Sequence, residues 1–250
     1  MDTRSAKSIF SDLKKLSKSG FKNRKLSFKF ESEFLDYHPH LKDFSSKHYK
    51  IFDEFAQKLD LQGSLEDLFS GEIVNKTENK PAMHHQYRIN PKSEDFNFKK
   101  ITAPHIKRIK REGFQNIITF GIGGSYEGPK LLQEFTNKQS SNFNYYFVSG
   151  PDKDEFNSIL KPLIGQKNFY IFSSKSLSTD ETLLCFKWLG HERNSKNSIV
   201  ITANTKKAIS MGFKKSCIVP FPESVGGRYS IWSPISVSYT HLTLPTNREV

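Results

Sequence analysis

Cysteine is scarce in this chain: Cys185 and Cys217, the two in 250 residues, stand 32 positions apart, with no C-x-x-C spacing and no histidine at metal-ligand distance. That argues against a disulfide framework or a thiolate metal knuckle and leaves two ordinary buried thiols of a reducing compartment. The eight histidines form no H-E-x-x-H, and His84 and His85, as sequence neighbours, would point apart on a helix rather than converge on one ion. No metal site is expected. No apolar run approaches the roughly 20 residues of a spanning helix. The segment after Met1-Asp2-Thr3-Arg4-Ser5 is charged and amphipathic, without the apolar centre of a secretory signal. We therefore expect a cytoplasmic protein with no membrane partner.

The common nucleotide fingerprints are also absent. A G-x-G-x-x-G match starting at Gly121 fails because its sixth position is Tyr126, and a phosphate loop over Gly123–Gly128 fails because Pro129-Lys130-Leu131 follows instead of Lys-Ser/Thr. What remains is a glycine-rich turn, Phe120-Gly121-Ile122-Gly123-Gly124-Ser125-Tyr126-Glu127-Gly128-Pro129, between a β-branched run (116–120) and a helical pattern (130–135). A strand that enters a helix through glycines presents unpaired N–H groups and the positive end of the helix dipole to an anion or a polar oxygen. The same pattern also suits a structural turn that binds nothing.

The formal charge is +12, and residues 1–50 carry 12 Lys/Arg against 6 Asp/Glu, so half the excess lies in the first fifth of the chain. The basic runs Lys14-Lys15-Leu16-Ser17-Lys18 and Lys22-Asn23-Arg24-Lys25 suit a solvated face, with a nucleic-acid patch as the competing reading. The remaining excess would equally attract a small anionic substrate.

Along the chain, residues 1–19 read as a helix with Ile9, Leu13 and Leu16 on one stripe, ended by Gly20, and residues 28–34 as an extended piece. Helical spacing recurs over 48–61 and again from Ser64 to Gly71, so residues 1–95 form a mostly helical N-terminal segment. From 101–113, a basic helix, the pattern changes. Strands are expected at 116–120, 144–148, 168–172, 198–202 and 217–220, with helices at 154–163, 179–189 and 205–212 between them. Such alternation implies an α/β fold with a five-stranded parallel sheet covered on both faces, whose ligands bind past the carboxyl ends of the strands.

Two more polar loops fall at that edge. In Ser173-Ser174-Lys175-Ser176-Leu177-Ser178-Thr179-Asp180-Glu181-Thr182, the Ser178-x-x-Glu181 spacing fits a capping box, while the hydroxyls and the Lys175 ammonium at a helix start fit a phosphate dianion. In Val225-Gly226-Gly227-Arg228-Tyr229-Ser230-Ile231-Trp232-Ser233, two glycines allow a close turn and Arg228 offers a guanidinium that could steady developing negative charge or make a surface salt bridge.

These three loops, in this order, resemble the glucose-6-phosphate isomerase family, and Asn75-Lys76-Thr77-Glu78-Asn79-Lys80-Pro81-Ala82-Met83-His84-His85-Gln86-Tyr87-Arg88 is similar to the segment preceding that family's first sugar-isomerase (SIS) domain. The resemblance covers roughly residues 40–239. It implies a three-layer SIS domain over 96–239 and reversible aldose–ketose isomerisation of glucose 6-phosphate and fructose 6-phosphate, a step of glycolysis and gluconeogenesis, through an enediol with neither metal nor organic cofactor. It further implies a sugar phosphate as the small-molecule partner, no nucleic acid, and a homodimer for the full-length protein. By motif match, Ser174, Lys175, Ser176 and Thr179 would bind the phosphate, Gly124 and Ser125 the sugar, and Arg228 would stabilise the enediolate.

The departures are Tyr126 and Glu127 where Asp-Leu is usual, and Ser176 where Thr is common. The family's base glutamate in a Gly-Glu-Pro-Gly-x-x-x-Gln-like motif, its ring-opening histidine and its late lysine find no counterpart here, so the second SIS domain is expected to be missing. Residues 239–250 look like read-through of a cloning adapter, a non-native tail over 240–250. The expectation is an isomerase gene whose polypeptide, at this length, is inactive alone; the alternative is a non-catalytic sugar-phosphate-binding SIS module.

Overall fold

A computed structural model describes residues 5–18, 30–31, 36–37, 46–90, 92–136 and 143–236. Gly20, the 22–25 basic run, most of the 28–34 stretch and the 239–250 tail lie outside the described residues. The chain forms two compact units, 1–70 and 71–250.

The first unit holds α1 (Ala6–Lys18), a two-residue antiparallel pair of β1 (Phe30–Glu31) and β2 (Asp36–Tyr37), α2 (Ser46–Lys58) and α3 (Leu61–Ser70). Ile9 and His48 are buried, and the Phe10 and Phe55 rings lie 6.4 Å apart between α1 and α2. The third helix begins at Leu61 rather than Ser64, because the Asp60 carboxylate accepts the Gly63 N–H at 3.2 Å and organises an earlier start.

The second unit runs α4 (Gln86–Ile89), α5 (Phe98–Glu112), β3 (Asn116–Phe120), α6 (Glu127–Thr136), β4 (Asn144–Val148), α7 (Lys153–Leu160), β5 (Asn168–Ser173), α8 (Asp180–Leu189), β6 (Ser198–Thr202), α9 (Thr205–Ser210) and β7 (Ile218–Pro220). The five strands are parallel in the order β4-β3-β5-β6-β7, the α/β sheet that the alternation implied. Cys217 is the one strand residue misplaced: it closes a 3-10 turn, and β7 starts at Ile218.

Every residue of β3, β5 and β6 is buried, as expected for central strands covered on both faces. Their period-2 alternation divides the side chains between two cores. Ile118, Phe120, Tyr170, Phe172 and Val200 pack against α7, α8 and α9 through Phe156, Phe186, Leu189 and Ala208. Ile117, Phe169, Ile171, Ile199 and Ile201 face the other way, onto Ile109 of α5 and onto Tyr87, Val225 and Ile235. At the amino ends of the strands an amide ladder joins β4, β3 and β5: Asn144 donates to Asn116 (3.0 Å), Asn116 to Asn168 (2.8 Å), and Asn168 to the Leu163 carbonyl (2.7 Å).

His105 of α5 borders a small void with Thr102, Ile109, Ile171, Ile201 and Val219. Burial first, and the Arg108 charge second, push its imidazole down to about 4 from an ordinary 6.5. Because the folded state favours the neutral ring, this stabilisation is complete above pH 6.5 and is lost as pH falls toward 4. Chemical denaturation at pH 7 and pH 4.5 should show about 2 kcal/mol of His105-dependent loss. His105→Gln should lose correspondingly less over the same window; equal losses in both proteins would remove the His105 contribution.

Candidate functional site

The three polar loops all leave the carboxyl edge of the sheet. After Phe120 the chain turns through Gly123, whose φ of +55° favours glycine, into a 3-10 turn over Gly123–Ser125, and α6 opens at Glu127. Ser125 donates its N–H to Ile122 (3.1 Å) and Tyr126 to Gly123 (2.9 Å), whereas the Gly123 and Gly124 amides meet no acceptor among the described residues. Tyr126, a departure from the family pattern, is turned onto its own helix and the edge strand. Its hydroxyl accepts from Lys130 Nζ at 3.0 Å and its ring meets Phe147 edge-on at 6.1 Å.

The loop after β5 is shaped by one strained residue. Leu177 has φ +51° yet is buried in the core, and left-handed backbone at a non-glycine residue costs roughly 1–2 kcal/mol. Core burial of the leucine side chain, worth about 1.5–3 kcal/mol, offsets that cost. The buried Ser174 hydroxyl accepts the Leu177 N–H at 3.1 Å, and the Lys175 carbonyl accepts from Ala203 N–H and Thr202 Oγ1, both at 3.0 Å. The loop is thereby stitched to the end of β6.

The expected capping box at Ser178 does not form. The residue at the N-cap of α8 is Thr179, its side chain makes no capping bond, and Ser178 Oγ lies 2.5 Å from Ser176 Oγ instead. The consequence is that Ser176, Ser178 and Thr179 stand at the start of a ten-residue helix with their hydroxyls not spent on capping it. Asp180 and Glu181 in its first turn satisfy the dipole and oppose an incoming anion, so Lys175 is the cation that must outweigh them.

The third loop forms a 3-10 turn over Gly227–Trp232 and touches the first through backbone. A Cβ on Gly124 would run into the Gly227 carbonyl, and Ser230 Oγ donates to that carbonyl at 2.6 Å, with Gly124 O at 3.4 Å. Arg228 is exposed beside this contact, and its side chain has no ion pair among the described residues.

A strap over 75–85 joins the second and third loops. Asn75 Oδ1 accepts from Thr77 Oγ1 (2.7 Å) and the Glu78 N–H (3.3 Å), while Asn75 and Lys80 form an antiparallel bridge. Glu78 then reaches Lys175 at 3.2 Å and Lys80 reaches Glu223 at 2.8 Å. The hydrogen bond and charge of Lys175 hold the Glu78 carboxyl below its ordinary range, and Lys80 does the same for Glu223. Met83 donates its N–H to Ser224 O (2.9 Å), and His84 stacks on Tyr229 with centroids 4.3 Å apart.

Between these elements lies an open cleft of about 300 Å³, bordered by Glu78, Lys80, Lys175, Ser176, Asn204, Glu223 and Gly227. Of the residues singled out from the sequence, Lys175 and Ser176 line it. Thr179 is half-buried at the helix start, Ser174 is buried behind the loop, Gly124 and Ser125 belong to the loop packed against Gly227, and the Arg228 side chain stands outside the lining. The four charged side chains of the cleft cancel in formal charge. Glu78, Lys80 and Glu223 were not found from the sequence; the alternation of opposite charges at 78 and 80 was the available signal.

The family model described as phosphoglucose isomerase matches residues 40–244. A glucose-6-phosphate isomerase of Buchnera aphidicola subsp. Cinara cedri is 31% identical over 222 residues, covering 78% of this chain and 41% of the relative. One of Zymomonas mobilis is 30% identical over 240 residues, covering 90% and 45%. The chain thus spans under half the length of the curated relatives it matches. The crystal structure of a glucose-6-phosphate isomerase from Chlamydia trachomatis superposes with a TM-score of 0.63 at 19% identity, over 80% of this chain and 44% of that one, a likeness of fold.

Proposed function

The chain belongs to the phosphoglucose isomerase family, and from that premise we propose that it supplies the phosphate-anchoring half of an enzyme that interconverts glucose 6-phosphate and fructose 6-phosphate. In this reading Lys175, Ser176 and Thr179 take the phosphate at the start of α8, with Ser174 holding the loop in shape and bordering it. Gly124 and Ser125 meet sugar oxygens, and Arg228 steadies the enediolate as charge develops on it. The domain that carries this chemistry runs over 96–239.

The observation that supports the reading is the convergence of the three loops on one carboxyl edge, with the Gly124 loop seated on the Gly227 backbone. A phosphate held at one loop then places the sugar carbons a fixed distance away, beside the other two. Proton transfer between C1 and C2 needs a base within hydrogen-bond reach. The family's base motif has no match in this sequence, so this polypeptide by itself binds without turning over.

Isothermal calorimetry with fructose 6-phosphate tests the proposal directly. The chain should bind it, a coupled assay should register no turnover, and Lys175→Met should weaken binding at least tenfold, about 1.4 kcal/mol or more for loss of a charge-assisted contact. A folded sample that takes up no fructose 6-phosphate, or a Lys175→Met variant that binds as tightly as the unaltered chain, would sink the assignment.

A further inference from the structure

We propose that Glu78 is a positioning residue for the Lys175 ammonium, and that the 75–85 strap sets the spacing between the phosphate loop and the Arg228 loop. The inference rests on the reading of Lys175 as a phosphate ligand, but its first readout does not.

Taken alone, the contact between Glu78 and Lys175 at 3.2 Å would be an ordinary partly exposed ion pair of little consequence for stability. Its setting is not ordinary. Glu78 and Lys80 project from one short turn that Asn75 braces with its side-chain oxygen, and the two charges go to different loops. The same strap is fastened at two further points, the Met83 N–H to Ser224 O just ahead of the third loop and the His84 ring on Tyr229, the residue after Arg228. Lys175 has a long flexible stem whose rotamer freedom must otherwise be given up on binding. One carboxylate oxygen uses one of the three ammonium hydrogens and leaves the others for phosphate oxygens. A sugar phosphate bridging the second and third loops would meet an ammonium already set at the right distance from the guanidinium loop, which is how positioning residues contribute to reactivity.

The test begins without ligand. Acetylation of single lysines by an amine-reactive acetyl ester, followed by peptide mass analysis of the full chain, should show Lys175 modified several-fold faster in Glu78→Gln, while Lys80, whose partner is Glu223, keeps its rate. Fructose 6-phosphate titrated by calorimetry should then bind five- to tenfold more weakly to Glu78→Gln, with Glu78→Asp in between and no further loss when Glu78→Gln is added to Lys175→Met. An unchanged acetylation rate at Lys175 overturns the inference. So does tighter binding by Glu78→Gln, which would make the carboxylate a competitor for the ammonium. Failure of the unaltered chain to bind fructose 6-phosphate, with the Lys175 rate still rising in the variant, would instead overturn the phosphate assignment and keep the Glu78 contact.

Discussion

Replacing Gly124 by alanine should lower the stability of the 71–250 unit by about 1–3 kcal/mol and, if the proposed function holds, weaken fructose 6-phosphate binding, because the added methyl has only backbone to push against. Its ideal position falls on the Gly227 carbonyl oxygen and carbon and close to the Arg228 amide nitrogen. A side chain could rotate away; a peptide group held by the Ser230 hydroxyl at 2.6 Å cannot without opening the turn. The Arg228 loop must then retreat from the glycine turn, carrying the guanidinium with it. The matching control is on the other side of the same contact: a Cβ on Gly227 meets nothing within 4 Å and its φ is not in the left-handed region. Gly227→Ala should therefore stay within about 0.5 kcal/mol of the parent. Urea unfolding of both variants separates the outcomes, and equal stabilities would refute the steric account.

The second large effect lies under the loop that follows β5. Phe172 is 1% exposed, stacks on Phe120 at 4.8 Å and meets Phe186 and Phe213 edge-on at 5.1 and 6.0 Å. Phe172→Ala should cost about 3–5 kcal/mol, the range for deleting a buried aromatic ring and leaving its cavity. Total domain stabilities are of order 5–15 kcal/mol, so this variant should unfold at a much lower urea midpoint and, even where folded, present a looser Ser174–Thr179 loop two residues downstream. Phe135, 81% exposed on α6, offers the comparison: its alanine variant should change stability by no more than about 0.5 kcal/mol. A Phe172→Ala midpoint within error of the parent would contradict the packing described for this face.

The sheet was legible because its strands are short β-branched or aromatic runs between polar turns. The bounds expected for β3, β4 and β6 match those observed, and β5 extends by one residue to Ser173. Cys217 was drawn into β7 by its apolar character, which marks burial but not hydrogen-bonding partner. The capping box failed for a related reason. Spacing alone says that Ser178 can reach a backbone amide, while the geometry of a left-handed Leu177 turns it toward Ser176. The three loops of the candidate site could be located because glycine, serine and arginine cluster at the ends of strands. The strap could not: the Glu78 and Lys175 partners lie 97 positions apart, and only the fold brings such charges together.

The asparagine ladder lies at the amino ends of the strands, opposite the three loops of the candidate site. A slip of one strand by a single residue would exchange its inward and outward faces and break these amide contacts together. Alignment of β3, β4 and β5 is therefore reinforced by residues at the far end of the sheet from the candidate site, which leaves the carboxyl-edge loops free to change in length and composition. Loop exchange between relatives, or redesign of 174–179, should leave strand alignment intact provided Asn116, Asn144 and Asn168 are kept, and this end of the sheet is the place to protect first in any such engineering.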